Sequence, residues 1–434
     1  MSKTKNDIAW ENLFDKYNIL DHINKNGFYE IESKVINTER ESRLMAKVDQ
    51  YANLPQIFKS NKLSILPVSR SKYVLGNFKT FENIKYDKNA ETVFVDFPSE
   101  IQTIDKQNLY SEASALHCAY VSGIINDILQ EDAFFTVGGR MSASSFDFAI
   151  KNTINNSKYN INVNNAQLEI DAGFESANSF LLVEAKNYSV DDFLIRQLYY
   201  PYRLWTGKVS KKVIPAFLTY SNDVFSFFLF DFENPTEYNS IKLLKQKNYI
   251  IAPEEIELED IYNLLQKTQV LNEPTTVPFP QANKLWRVVD LMNLLAENDQ
   301  TKDEITLNYA FDIRQTDYYT NAAIYLGVVE KYKNGNNEIA YRLSAKGEKI
   351  VKQKFKNKYL AIVECVLQHK IYNELLRRYF ELGYPPTKDE VHEIMSKSYM
   401  HNVVPFSETF YRRAQSVTGW IDWILDLPNK SVTE

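Results

Sequence analysis

Asp171, Glu184 and Lys186 stand inside LEIDAGFESANSFLLVEAKN, residues 168–187, an apolar run that would ordinarily carry no charge if it were a pair of buried strands. Successive side chains of a strand face opposite ways, so Leu182, Glu184 and Lys186 share one face while Leu181, Val183 and Ala185 share the other. Gln167, Glu169 and Asp171 likewise oppose Leu168 and Ile170. If the two strands pair through the turn in GFESANS, Asp171 and Glu184 converge on one patch with Lys186 beside them, and Glu169 is an auxiliary acid on the same face. Two carboxylates and an ammonium suit hydrolysis of a phosphodiester. The acids offer hard oxygen ligands to Mg²⁺, which polarises the phosphoryl oxygen and lowers the pKa of its bound water. Lys186 would orient that water or offset developing charge.

A Glu-x-Lys pair says little by itself, and IESK places Glu32 and Lys34 at the same spacing. There, Ser33 stands between the charges and no strand with a well-placed acid precedes them. The 168–187 segment adds Asp171 upstream, an apolar run into Glu184, and the helices and strands around it. A core-packing helix is expected from near Leu109, because Leu109, Ala113, Leu116, Tyr120, Ile124 and Ile128 recur at helical spacing. Strand-like FFTVGG, SFDFAI, QLEIDAGF and FLLVEAK follow, then a helix from about Val190 to Tyr200, then KVIPAFLTY and VFSFFLFDF. This order predicts an α/β fold with a mixed sheet flanked by helices over residues 106–235. Residues 1–105 read as an α+β region that could also contact DNA.

Residues 236–280 read as a connecting segment and linker, with Pro274, Pro278 and Pro280 holding its end extended. Beyond it, ANKLWRVVDLMNLLAE is an amphipathic helix and TKDEI opens a second with Thr301 and Glu304 as a capping box. RQTDYYTNAAIYLG is a third, and VVEKYKNGNNEIAYRLSAKG a hairpin turning at NGNN. Three helices and a hairpin predict a winged helix over 281–357. The box returns as TKDEV at Thr387, after a long helix YLAIVECVLQHKIYNELLRRYF, so 358–434 reads as a second helix-turn-helix unit ending in SETFYRRAQSVTGWIDWIL.

EIDAGFE…LLVEAKN resembles the bipartite motif of the PD-(D/E)XK nuclease superfamily. With RQLYYPYRLW after it and a winged helix downstream, the chain looks like a type II restriction endonuclease, implying the restriction-endonuclease-like sheet. The motif covers some 20 residues, and the family's PD is Ile170-Asp171 here, which keeps the carboxylate. The resemblance implies Asp171 and Glu184 as Mg²⁺ ligands, Lys186 as the catalytic lysine, and Glu112 as an auxiliary acid on the preceding helix. Arg196 and Gln197 would face the site from the following helix, although the Gln-x-x-x-Tyr spacing of the exonuclease branch is broken by Pro201.

DNA would be read by Arg314, Gln315 and Tyr318 of the third helix, since Arg and Gln pair bidentately with G and A edges. Lys352, Lys354 and Lys356 would hold phosphates from a window of seven basic residues, Arg342 to Lys358, against Glu348 alone, and Arg412 and Arg413 are further candidates in the last helix. The whole-chain charge of −6 does not favour nucleic acid, but local fields decide. At 434 residues and 44% hydrophobic the chain is long and apolar enough for several cores. It has no signal peptide or membrane span, which makes the cytoplasm the expected compartment. Cys118 and Cys365 form no disulfide framework, the five histidines lack metal-ligand spacing, and no phosphate-cradling GxxxxGK[ST] loop exists to use ATP. The expected partners are double-stranded DNA and a second copy of the chain, a homodimer cutting both strands. A winged-helix regulator that never cuts, and a structure-specific repair or junction nuclease, are the alternatives.

Overall fold

A computed structural model describes residues 4–87, 89–106, 109–155, 157–251, 256–308 and 313–428. At its centre is a seven-stranded mixed sheet built from β1 (Thr92–Phe94), β2 (Phe134–Ser142), β3 (Gln167–Glu175), β4 (Ser179–Lys186), β5 (Lys212–Ser221), β6 (Val224–Phe232) and β7 (Ile241–Ile250). The strands lie in the order β1-β7-β6-β5-β4-β3-β2. β4 pairs in parallel with β5 and β7 with β1, while the remaining neighbours are antiparallel. The sheet therefore runs beyond both ends of residues 106–235, because β1 and β7 pair outside that span.

A parallel pair needs a crossover, and α2 (Arg196–Thr206) supplies it between β4 and β5. α1 (Glu112–Val121) covers the opposite face. Leu181, Val183 and Ala185 of β4 pack with Ala115, Leu116 and Ala119 of α1. Phe180 and Leu182 pack with Leu198, Tyr199 and Tyr202 of α2. Burial on both faces is why β4 reads as an unbroken apolar run into Glu184.

Several elements depart from the sequence expectation. The helix expected from Leu109 starts at Glu112, where Ser111 Oγ accepts the Ser114 N–H at 3.1 Å. It ends at Ser122, because Gly123 takes a left-handed φ of 76° before a short second helix, Ile124–Leu129. SFDFAI does not join the main sheet; Phe146–Lys151 pairs instead with Lys158–Val163. The helix expected from Val190 begins at Arg196, since Asp192–Leu194 first pairs as a strand with Phe81–Asn83.

The N-terminal region forms its own three-stranded antiparallel sheet, with Lys72–Gly76 between Phe28–Glu32 and Ser64–Pro67. Its core gathers Trp10, Leu13, Phe14 and Phe58. After the prolines come α3 (Leu285–Leu295), β8 (Gln300–Thr301), α4 (Lys302–Asn308), α5 (Ile313–Tyr325), β9 (Val329–Lys333) and β10 (Ile339–Leu343). β10 pairs with both β8 and β9. Both TKDE boxes close: the Thr301 and Thr387 N–H groups donate to Glu304 and Glu390 at 2.7 and 2.8 Å. The long helix expected before the second box is two helices, Phe355–Leu367 and Lys370–Leu382, divided at an extended His369. One hydrophobic cluster runs through the whole C-terminal part, from Ile256 to Leu427, so residues 281–357 and 358–427 share a core. Among the described residues, no helix is long and apolar enough to cross a membrane.

The C-terminal part docks on the end of the sheet through polar contacts. Ser221 Oγ, at the β5–β6 turn, donates to the buried Asp290 carboxyl of α3 at 2.9 Å, and Lys358 Nζ reaches Asp223 at 3.1 Å. Burial pushes the Asp290 carboxyl up to about 7, although hydrogen bonds from Ser221 and Ser189 and the Arg287 charge pull the other way. The unfolded chain releases this proton near the ordinary 3.8 and the folded chain near about 7, so Asp290 subtracts stability as pH rises through that interval and no further above it. Asp290→Asn is accordingly expected to raise the apparent Tm by a few degrees at pH 8 relative to wild type, and much less at pH 4. Thermal melts at both pH values check this. A variant-minus-wild-type difference that does not change between them would show that Asp290 carries its charge in the fold.

Candidate functional site

β3 and β4 pair from Glu175–Phe180 to Ala172–Val183 and then open. Asp171 falls at the opening, where its Oδ2 accepts the Ala185 N–H at 2.8 Å, a side chain replacing the next rung of the ladder. The register between β2 and β3 slips here. Val137 faces Gly173 but Gly139 faces Ile170, so β3 carries one extra residue between Ile170 and Gly173. The slip reverses the alternation, with Leu168 and Ile170 in the α2-side core and Ala172 and Phe174 in the α1-side core. β2 accommodates this bulge with Gly139 at φ 90°, a backbone angle that suits glycine.

Glu184 and Lys186 are each 7% exposed. Lys186 Nζ lies 2.7 Å from Glu184 Oε1, donates to the Ala185 carbonyl at 3.0 Å, and stands 3.6 Å from Glu112 Oε1. Gln197 Nε2, from the first turn of α2, donates to Glu184 Oε1 as well. α1 and α2 thus each deliver one polar side chain to the charged end of β4, from opposite faces of the sheet. Gln197 Oε1 is buried without a hydrogen-bond partner among the described residues.

The field at this point is strongly acidic. Burial raises Glu184 well above the usual carboxylate range, Lys186 opposes that rise, and Asp171 and Glu112 add to it. Asp171 and Glu112 are raised as well, by burial first, with Lys186 pulling them down. Burial alone would lower Lys186. The charges of Glu184, Glu112, Asp49 and Asp171 outweigh it and hold the ammonium well above its ordinary value. Asp49 comes from the N-terminal region, where the coil around it carries no pattern that would have singled it out.

Asp171, Glu184, Lys186, Glu112 and Gln197 therefore come together, and the other candidates go elsewhere. Glu169 pairs with Arg140 at 3.3 Å on the exposed edge, and its charge still reaches Asp171 and helps to raise it. Arg196 lies over the Tyr200 ring, 5.7 Å from its centroid, rather than facing Glu184, because neighbouring residues of a helix point some 100° apart. Glu32 and Lys34 form a surface ion pair at 2.7 Å. In the C-terminal part Arg314 is exposed, and Gln315 and Tyr318 are half-buried on α5. Lys352 and Lys354 are exposed, whereas Lys356 is held by Asp260 at 2.8 Å and Lys358 is buried against Asp223. Arg412 is exposed. Arg413 is half-buried, with its Nε enclosed and burial lowering its pKa.

The architecture and site define a mixed α/β protein with a buried carboxylate–lysine cluster at an opened strand end. Three family models match successive parts of the chain, each described as a domain of unknown function: DUF6996 over residues 7–75, DUF6997 over 76–250 and DUF7226 over 287–429. No curated protein and no solved structure matches. Asp171, Glu184, Lys186, Glu112 and Gln197 all lie within the DUF6997 stretch, and Asp49 within DUF6996.

The cluster makes a prediction independent of any activity. Removing one partner from a buried ion pair costs on the order of 3 kcal/mol, because the other charge stays buried. Lys186→Met should lower stability to urea more at pH 8 than at pH 5, since Glu184 at low pH protonates and needs no counter-charge. Lys34→Met, at an exposed pair, should change little. Equal losses for Lys186→Met at both pH values would contradict a buried, charge-compensated Glu184.

Proposed function

We propose that this chain is a Mg²⁺-dependent, sequence-specific double-stranded DNA endonuclease of the type II restriction class, with a PD-(D/E)XK core on the central sheet and a winged helix after it. The observation that carries the reading is the convergence of Asp171, Glu184 and Lys186 at the opened end of two neighbouring strands, with Glu112 and Gln197 beside them.

The donor set suits a hard cation. Asp171 Oδ1 and Glu184 Oε2 receive no hydrogen bond from the described residues, whereas Oδ2 and Oε1 are used by Ala185, Lys186 and Gln197. Among the described residues, no group of three or more His, Cys, Asp or Glu side chains closes tightly enough to hold a metal ion by itself. Mg²⁺ does not require one, since it usually takes one or two carboxylates and completes its shell with waters and substrate phosphate oxygens. Asp171 and Glu184 would hold it. Bound there, the ion supplies Lewis acidity toward the phosphoryl oxygen and toward a water nucleophile.

The chain's own residues do the rest. Gln197 and Lys186 fix the Glu184 carboxylate through one oxygen and leave the other for the ion. Lys186 gives two of its three N–H donors to Glu184 and Ala185, and the third, which has Glu112 Oε1 3.6 Å away, would turn to the attacking water or a phosphate oxygen. β8–β10 and α3–α5 follow the order of a winged helix: helix, strand, two helices, hairpin. In that arrangement α5 enters the major groove with Arg314, Gln315 and Tyr318, and Lys352 and Lys354 hold phosphates. A homodimer would cut both strands.

Purified protein incubated with Mg²⁺ and long phage DNA is expected to give discrete bands. A smear would indicate cutting without sequence choice, and intact DNA bound by the protein would favour the winged-helix regulator. Asp171→Ala and Glu184→Ala are each expected to abolish cleavage while DNA affinity stays within about tenfold, roughly 1.4 kcal/mol. Lys186→Ala should lose cleavage but still bind Mg²⁺ in a calorimetric titration. A variant that keeps more than a few per cent of the normal rate removes its residue from the site.

Reading and holding separate by salt. Arg314→Ala is expected to cost about 1 to 3 kcal/mol on the cognate site and less on random duplex. Replacing Lys352 and Lys354 together should weaken both alike and flatten the salt dependence of binding, by about one unit of slope per lost contact. Equal losses on both duplexes for Arg314→Ala would leave base reading to another element.

A further inference from the structure

The segment that follows Lys186 is gripped from both flanking regions. From the N-terminal side, Gln50 Nε2 donates to Tyr188 Oη at 3.3 Å, the Tyr51 N–H donates to Asp192 Oδ1 at 2.7 Å, and the Leu194 N–H donates to the Asp49 carbonyl at 3.0 Å. Within the sheet region, the Val190 N–H donates to Tyr86 Oη at 3.0 Å and the Ile84 N–H to the Asp191 carbonyl at 3.0 Å. From the C-terminal side, Lys284 Nζ and Arg287 Nη2 each donate to the Asp191 carboxylate at 2.9 Å. Residues 187–191 lead directly from the end of β4 to Asp191.

Arg287 also packs against rings. Its side chain is 9% exposed, and its guanidinium lies 5.1 Å from the ring centroid of Trp286 and 5.7 Å from that of Tyr319, on α5. Lys284, Arg287 and Asp290 recur every third residue, so they line one face of α3 and its cap, and that face abuts the sheet. Charges at this spacing inside LWRVVDLMNLL are the trace that the sequence carries of the contact.

We propose that Arg287 is a positioning residue that links α5 to the catalytic strand: it ties Tyr319 on one side to Asp191 on the other, five residues past Lys186. Seating α5 on DNA then bears on the Lys186 ammonium through a short chain of packed groups, Tyr319, Arg287, Asp191 and the backbone of 187–191. The consequence at Lys186 rests on the nuclease reading; the mechanical link does not. A DNA site that seats α5 correctly favours the arrangement in which Lys186 faces its substrate, so sequence choice is expressed in the rate of cutting as well as in affinity.

The test has two readouts. In the free protein, amide hydrogen exchange followed by mass spectrometry is expected to speed up at least tenfold over residues 187–194 in Arg287→Gln, with Phe28–Glu32 unchanged. Tyr319→Leu should give a smaller increase in the same segment, and Arg287→Lys should restore most of the protection. On cognate DNA, Arg287→Gln is expected to lower kcat at least tenfold while KM and binding stay within threefold. Should Arg287→Gln fail to fold, Asp191→Asn, at a carboxylate 64% exposed, carries the same two measurements. Unchanged exchange over 187–194 in these variants overturns the link, as does a loss of DNA affinity with kcat intact. If the wild-type protein cuts no DNA, the nuclease reading fails, and the exchange measurement still decides whether Arg287 ties α5 to the segment.

Discussion

A lysine ammonium buried among carboxylates can exist only if the chain around it holds several charges in place at once. Lys186 would be costly to bury alone, and so would Glu184; together, with Glu112, Asp171 and Asp49 near, they leave a site richer in negative than positive charge. That imbalance is a weak basis for stability. It is what the proposed Mg²⁺ site would need, because a cation arriving there would bring the missing positive charge and relieve the repulsion that the fold maintains.

The sheet makes the arrangement affordable. β4 is enclosed on both faces by α1 and α2, so its apolar residues anchor the strand while its last residues reach the end of the ladder, where β3 turns aside. Asp171 does two things there: one oxygen closes the gap by accepting the Ala185 N–H, and the other receives no hydrogen bond from the described residues. Glu169, two residues earlier on the same strand, is paired with Arg140 at the exposed edge and reaches Asp171 only through its charge.

The flanking regions are fastened to the sheet close to this point. Asp49, Gln50 and Tyr51 meet the segment after β4 on one side, and Lys284, Arg287 and Asp290 meet it on the other. The basic window gives up members to internal ion pairs, Lys358 to Asp223 of the sheet, Lys356 to Asp260 and Arg342 to Glu330. Lys352 and Lys354 stay exposed. A run of lysines in a sequence is thus divided by the fold into charges that bind the protein to itself and charges left at the surface.

The strands at 167–175 and 179–186, both capping boxes and the hairpin at NGNN were legible in the sequence, because side-chain alternation, cap spacing and turn chemistry are properties of consecutive residues. Glu184 and Lys186 were legible for the same reason, being charges at strand spacing where burial made them costly. The sequence could not show that β3 carries a bulge after Ile170, since the extra residue is defined only against β2. It could not show that SFDFAI pairs away from the main sheet, that His369 divides one apolar run into two helices, or that Arg196 turns toward Tyr200 while Gln197 reaches Glu184. Asp49 and Arg287 lay furthest from sight. Local pattern determines which face of an element is apolar and where it begins and ends; which distant charge arrives at that face is decided by packing, because the partner's position depends on every element between the two.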